Sequence, residues 1–286
     1  LIAAFRNRSR ESEESLTAVA MNRLGSRVGT GGKEGTVRIV DGVSGSEIRV
    51  FNEHKGAIVG MAFSPDGHQL ATSGVDRSVR LWDTESPEVA KVFVQHAKPV
   101  GDLRFNRDGT RLAIAVDDSA VEVWDVKRAS IVKAFRGHGG RVTAVAFSPD
   151  GSHLVTASAD RTARVWDGAS GKALTLAGHA DVVNHVVFSA DGKSVATAGQ
   201  DRTARIWDAM TGQERLTFTL TAPVIGVVFS PDGKSLITYD KSGTLRDFLL
   251  TFEDVDTAAR RFAGDRELTG AECMRYFLTP SCPTLP

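Results

Sequence analysis

Hydrophobic and polar residues alternate along this chain in short runs, and the runs return on a fixed clock. Segments such as Val79-Arg80-Leu81-Trp82 and Ala163-Arg164-Val165-Trp166 set a polar residue between apolar ones, which predicts strands with differing faces. Turn residues punctuate them. The string Phe-Ser-Pro-Asp-Gly, or a close relative, begins at Phe63, Phe105, Phe147, Phe188 and Phe229, at steps of 42, 42, 41 and 41 residues. In it proline presets φ at the first central turn position and glycine takes the positive-φ position, so the string predicts a tight hairpin between two strands. Ahead of each Phe, apolar residues fall three apart, as in Ile58 and Met61, Val142 and Val145, or Val183 and Val186. A regular strand cannot hold both on one face, so a β-bulge is expected between them, repeated in every unit.

An independent marker keeps the same time. Trp-Asp pairs occur at Trp82, Trp124, Trp166 and Trp207, with Phe248 in the next register. Running the clock backwards reaches Val40-Asp41 and Met21, which adds a degenerate first unit and makes six. After Phe248 the period changes. Val255, Ala259 and Phe262 are spaced as on a helix, and Thr269 with Glu272 forms a capping box that predicts a second helix to about Phe277, ahead of Pro280.

These residues resemble the WD40 family, over roughly residues 1–250. The resemblance implies an all-β propeller with six recognisable blades, of four strands each, arranged about an axis so that few sheet edges stay open. The units are expected near residues 16–51, 58–94, 99–135, 141–177, 182–218 and 224–252, within a propeller of residues 1–252, followed by a helical extension at 253–286. Residues 1–5 resemble the outer strand near 131–135 and are expected to complete the last blade or to belong to a preceding one. Two arrangements stay open: six closed blades, or six of an original seven. The Leu-Thr, Glu-Cys, Arg-Tyr-Phe and Cys-Pro pieces of the tail resemble the ends of large bacterial signalling proteins that finish in WD40 arrays. A chain opening on Leu1 is expected to be the end part of such a longer protein.

The resemblance also implies a buried tetrad in each blade, of His, Ser or Thr, Asp and Trp. Only the fourth unit carries all four by this reading: His138, Ser158, Asp160 and Trp166. Three units carry three of them: His54, Asp76 and Trp82; His96, Asp118 and Trp124; His179, Asp201 and Trp207, with Gly74, Val116 and Gly199 at the hydroxyl position. The first unit has Ser12, Glu34 and Val40, and the last has Leu220, Ser242 and Phe248, so the end blades are expected to be the least rigid.

Composition narrows the function. Lys and Arg number 35, as do Asp and Glu, and no long block of one sign follows a phosphate backbone, so no nucleic-acid partner is expected. No apolar run reaches membrane-spanning length, and the first residues lack the order of a signal peptide. A cytoplasmic protein without a membrane partner is expected. Cys273 and Cys282, both in the tail, lack metal-site spacing; free thiols are expected, with a disulfide between them as the alternative. A His-Asp pair beside a Ser suggests a hydrolase, yet the same set recurs in unit after unit, whereas a nucleophilic triad is normally unique. His68, His153 and His185 are expected on the solvated surface, and Thr30-Gly31-Gly32 has no lysine or helix to make a phosphate loop.

No catalytic residue, metal or cofactor is therefore expected. The reading favours a protein-protein interaction scaffold, with a protein or peptide partner or other domains of the same polypeptide, and an autoinhibitory sensor as the alternative. The partner face is expected around the axis at Arg141, Asn184, Gln200 and Asp117, among small residues such as Ala57, Gly101 and Ala159, a mixed set without a ring of one sign. Residues 6–15 read as a charged surface loop.

Overall fold

The computed structural model describes residues 15–86, 91–116 and 119–250. The strand at 1–5, most of the loop at 6–15, Ser12, Asp117, Asp118, the helices of the extension and both cysteines lie outside the described residues.

The described residues form six antiparallel sheets, each a simple up-and-down run. The first consists of Leu16–Met21, Arg27–Gly32, Val37–Asp41 and Glu47–Phe51. The fourth consists of Val142–Phe147, His153–Ser158, Thr162–Asp167 and Ala173–Ala177. The last has three strands, Val224–Phe229, Ser235–Asp240 and Leu245–Leu249. The described residues thus form six blade-like sheets, the all-β architecture expected.

Local chemistry fixes each blade. In the fourth, Ser148 N–H donates to the carbonyl of His153 and Gly151 N–H to that of Ser148, closing the Pro-Asp-Gly hairpin with Gly151 at φ 73°. The bulge sits where the three-residue spacing requires it: the register slips between Val142 and Ala144, and in the same way between Ile58 and Gly60, Val183 and His185, and Val224 and Gly226. Both Val142 and Val145 are buried as a result.

The first strand of each sheet lies innermost, and these strands pack in chain order, from Leu16–Met21 through Ile58–Phe63, Val100–Phe105, Val142–Phe147 and Val183–Phe188 to Val224–Phe229. The core is five layers, one between each pair of neighbouring sheets. Between the third and fourth sheets, small residues Ala113, Ala115 and Val121 receive Val142, Val145, Leu154 and the indole of Trp166. Every sheet thus has two unlike faces. In the second to fifth sheets one face carries the Trp and packs on the preceding sheet, while the other carries smaller apolar residues, mainly Ala and Val, and packs on the next.

The succession does not close on itself among the described residues. The innermost strand of the last sheet lacks the packing on that of the first that all other neighbours share. Val19 is 69 % exposed, whereas its equivalents Leu103, Val145 and Val186 are at most 2 % exposed. Across the seam, Val228, Tyr239 and Leu245 of the last sheet are also exposed. Direct closure of six blades, one of the two arrangements expected, is therefore not what the described sheets do.

Candidate functional site

The polar groups inside the blades form hydrogen-bonded columns. In the fourth sheet, His138 Nδ1 lies 2.8 Å from Asp160 Oδ2, its Nε2 lies 2.7 Å from Thr156 Oγ1, and Trp166 Nε1–H donates to the same Thr156 oxygen at 2.9 Å. With His138 Nδ1–H donating to the carboxylate, the threonine hydroxyl donates to Nε2 and accepts from the indole, and every group is satisfied with a neutral imidazole. The second sheet repeats this with His54, Asp76, Thr72 and Trp82, and the fifth with His179, Asp201, Thr197 and Trp207.

Electrostatics agree with that protonation. Burial pushes the pKa of His54, His138 and His179 below the ordinary value, outweighing the nearby carboxylates. Burial works the other way on the aspartates but is outweighed by donors. Asp76, which accepts from the N–H groups of Lys55 and Ser78 and the Ser78 hydroxyl, is lowered to about 2, and Asp160 is lowered too.

The hydroxyl of the column is Thr156, two residues before the expected Ser158. Ser158 instead donates to the carbonyl of Gly140 at 3.0 Å and accepts from Asp160 N–H at 3.1 Å, tying down the turn. The reason is the period of a strand: residues 156 and 158 share a face, and only 156 is level with both the imidazole and the indole. The glycines at the Ser158 register have their own cause. A Cβ on Gly74 would come within 2.6 Å of His54 Nδ1, and one on Gly199 would strike both His179 and Asp201. Recurrence of Thr72, Thr156 and Thr197 on the clock was the signal for the true column.

Two sheets depart from the column. The third has Ile114 at the threonine position, and Trp124 Nε1–H donates to Glu122 at 2.9 Å instead. Glu122 stands where the second, fourth and fifth sheets have Arg80, Arg164 and Arg205. His96 Nε2 is buried without a hydrogen bond, 3.9 Å from that carboxylate. In the last sheet Leu220 and Phe248 replace His and Trp together, leaving the buried Thr238 hydroxyl unpartnered.

These columns are not nucleophilic sites. Thr72, Thr156 and Thr197 are fully buried, and each hydroxyl is already engaged by an imidazole and an indole. Among the described residues no group of three or more His, Cys, Asp or Glu is placed to hold a metal ion, and no helix is long and apolar enough to cross a membrane. His68 and His153 face Glu85 and Asp167 near the surface. His185 differs from expectation: its Nδ1 is buried, and burial followed by the Arg104 charge lowers its pKa.

Of the residues expected around the axis, Arg141 is exposed just before the innermost strand of the fourth sheet. Asn184 Nδ2–H donates across to Val224 O of the next sheet at 2.8 Å and lies 3.5 Å from Gln200 Oε1. Asn184 and Gln200 are therefore together, and Asn184 serves the fold as a strap between blades. Ser73 makes a like bond to Gly101 O at 2.7 Å.

Comparison with known proteins agrees with this anatomy. A search of curated proteins finds none that matches. The family model described as WD domain, G-beta repeat matches residues 45–83, 87–125, 129–167 and 171–208, together more than half of the chain. Each matched stretch ends one residue after a Trp, and the His-Thr-Asp-Trp bonding recurs in the second, fourth and fifth sheets: the chain belongs to the WD40 family.

Proposed function

We propose that this protein is a non-catalytic scaffold for protein-protein interaction, working in the cytoplasm as the C-terminal module of a multidomain bacterial regulatory protein. WD40 repeats generally serve as platforms for protein partners, and this chain's own chemistry supports that role. The observation that carries it is the fate of the reactive groups. The His-Asp-Thr sets are repeated, buried and mutually satisfied, so they stiffen the blades, while chemistry available to a visitor lies in the loops at the blade ends. Arg141 and Gln200 lie in that loop region, with Asn184 beside Gln200 at the start of a strand, and a partner reading it would meet hydrogen-bonding groups held by rigid sheets.

The test is retention of a defined partner by the immobilised full chain, with the retained protein identified and its contacts mapped by cross-linking. Cross-links from the loops bearing Arg141 and Gln200, lost in Arg141→Glu with an unchanged melting temperature, are the expected result. Turnover of a generic ester or peptide substrate by the purified chain, abolished by His138→Ala, would overturn the scaffold reading.

A further inference from the structure

The chain is neutral overall, but one end of the sheets carries more exposed cations than exposed carboxylates, while the other carries both signs. One end carries the Pro-Asp-Gly hairpins and the turns after each Trp-Asp. Asp66, Asp150 and Asp191 stand in the first kind of turn, Asp83, Asp125 and Asp208 in the second, and each accepts a backbone N–H of its own turn. The opposite end carries the loops before the innermost strands and the turns between second and third strands. Bonds between those loops place them side by side: His96 N–H donates to Arg77 O, and Ala159 N–H to Arg141 O.

On that opposite end, Lys55, Arg77, Arg141, Arg161 and Arg202 are exposed on the second, fourth and fifth sheets, against a single exposed carboxylate, Asp181, among the described residues of those sheets' loops. No described carboxylate forms an ion pair with any of these five cations. The aspartates beneath them, Asp76, Asp160 and Asp201, are engaged by imidazoles and turn N–H groups. The third sheet departs from the set, with Ser119 at the arginine position and Asp117-Asp118 before it in the sequence.

Three of the arginines occupy one special position. Arg77, Arg161 and Arg202 have φ of 65°, 70° and 67°, in the left-handed region, at the turn where the first and last sheets place Gly35 and Gly243 with φ of 96° and 84°. Glycine fits there without strain, and a long L side chain does not. The chain nevertheless projects a guanidinium from the same point of three blades, and among the described residues only that of Arg77 makes a hydrogen bond, to Ala97 O.

From this we infer that the end of the propeller bearing Arg77, Arg161 and Arg202 is a docking surface for an acidic peptide segment, whose carboxylates pair with the turn arginines of the second, fourth and fifth sheets. The inference rests on the scaffold reading and gives its partner a chemistry. A peptide suits the surface better than a nucleic acid. The turn arginines stand one to a blade instead of in a stripe, and the four indoles that would stack on bases are buried or partly buried within the blades.

The probe is a fluorescein-labelled decapeptide of alternating Glu and Gly, with an alternating Gln and Gly peptide as control, titrated with the full chain and read by anisotropy at about 50 mM salt, where screening is modest. Binding of the Glu peptide alone is expected, weakening about ten-fold or more in the triple variant R77G/R161G/R202G. Glycine accepts the positive φ, so that variant keeps or raises its melting temperature and lost binding cannot be blamed on unfolding. Equal affinity in wild type and triple variant, or equal binding of the neutral peptide, would sink the inference. So would a single-stranded oligonucleotide of matching charge that binds more tightly than the Glu peptide and loses as much in the variant. A natural partner retained equally by wild type and triple variant leaves the scaffold intact and removes the acidic specificity, which separates the two failures.

Discussion

The fourth and last sheets share a strand pattern and a hairpin, yet one is a finished part and the other is not. Thr156 and Thr238 occupy the same register, and both are fully buried. Thr156 is held between His138 and Trp166, while Thr238 faces Leu220 and Phe248 and has no partner. Val145 and Val19 are a second such pair, one covered by the third sheet and the other exposed at the seam. A repeat sequence specifies its own strands, but burial and satisfaction come from the neighbour and from a complete column.

The largest contrast should come from the seam. Val145→Asp places an unpaired carboxylate in the layer between two sheets and should cost more than about 4 kcal/mol, enough to lose the folded chain in a thermal melt. Val19→Asp, in the same column, should stay within about 0.5 kcal/mol of wild type. Equal damage at both would mean that Val19 is covered in solution, and the contrast between end and middle would fail.

A smaller effect tests the columns. Thr156→Val orphans the Trp166 N–H and His138 Nε2 together, a loss of about 2 to 4 kcal/mol in chemical denaturation. Thr238→Val removes a hydroxyl that bonds nothing and should be neutral or slightly stabilising. If the two cost the same, the column does not hold the sheet.

The mildest effect is with pH. The column histidines have folded pKa values below the ordinary 6.5, so the unfolded chain takes up protons that the folded chain refuses, and stability falls as pH drops below about 6.5. Asp76, lowered from 3.8 to about 2, adds stability that is complete above about 4 and disappears as pH falls towards 2. The melting temperature should therefore decline gently from pH 6.5 to 4 and more steeply below. A flat profile between pH 7 and 5 would contradict neutral buried imidazoles.

Much of this was legible in the sequence because it is local. Hairpins, bulges and the step of 41 or 42 residues depend on neighbours along the chain, and Pro149-Asp150-Gly151 announces its turn wherever it stands. The column was half legible. His138, Asp160 and Trp166 could be read from their spacing, but Ser158 and Thr156 lie on the same strand face, and level with the imidazole is a matter of fractions of a strand rise. The exception at Glu122 becomes meaningful only once its indole partner is seen. The exposed Val19, the buried Nδ1 of His185 and the excess of exposed cations at one end depend on how sheets stand around an axis, which no window of sequence contains.

The unlike faces of each sheet have a consequence for inheritance. The four Trp-bearing units can follow one another, because the Trp side of each meets the Trp-free apolar side of the unit before it. Loss or duplication of one whole unit by unequal recombination would leave every remaining contact of the same kind, so the number of units can drift while the rules of assembly stay constant.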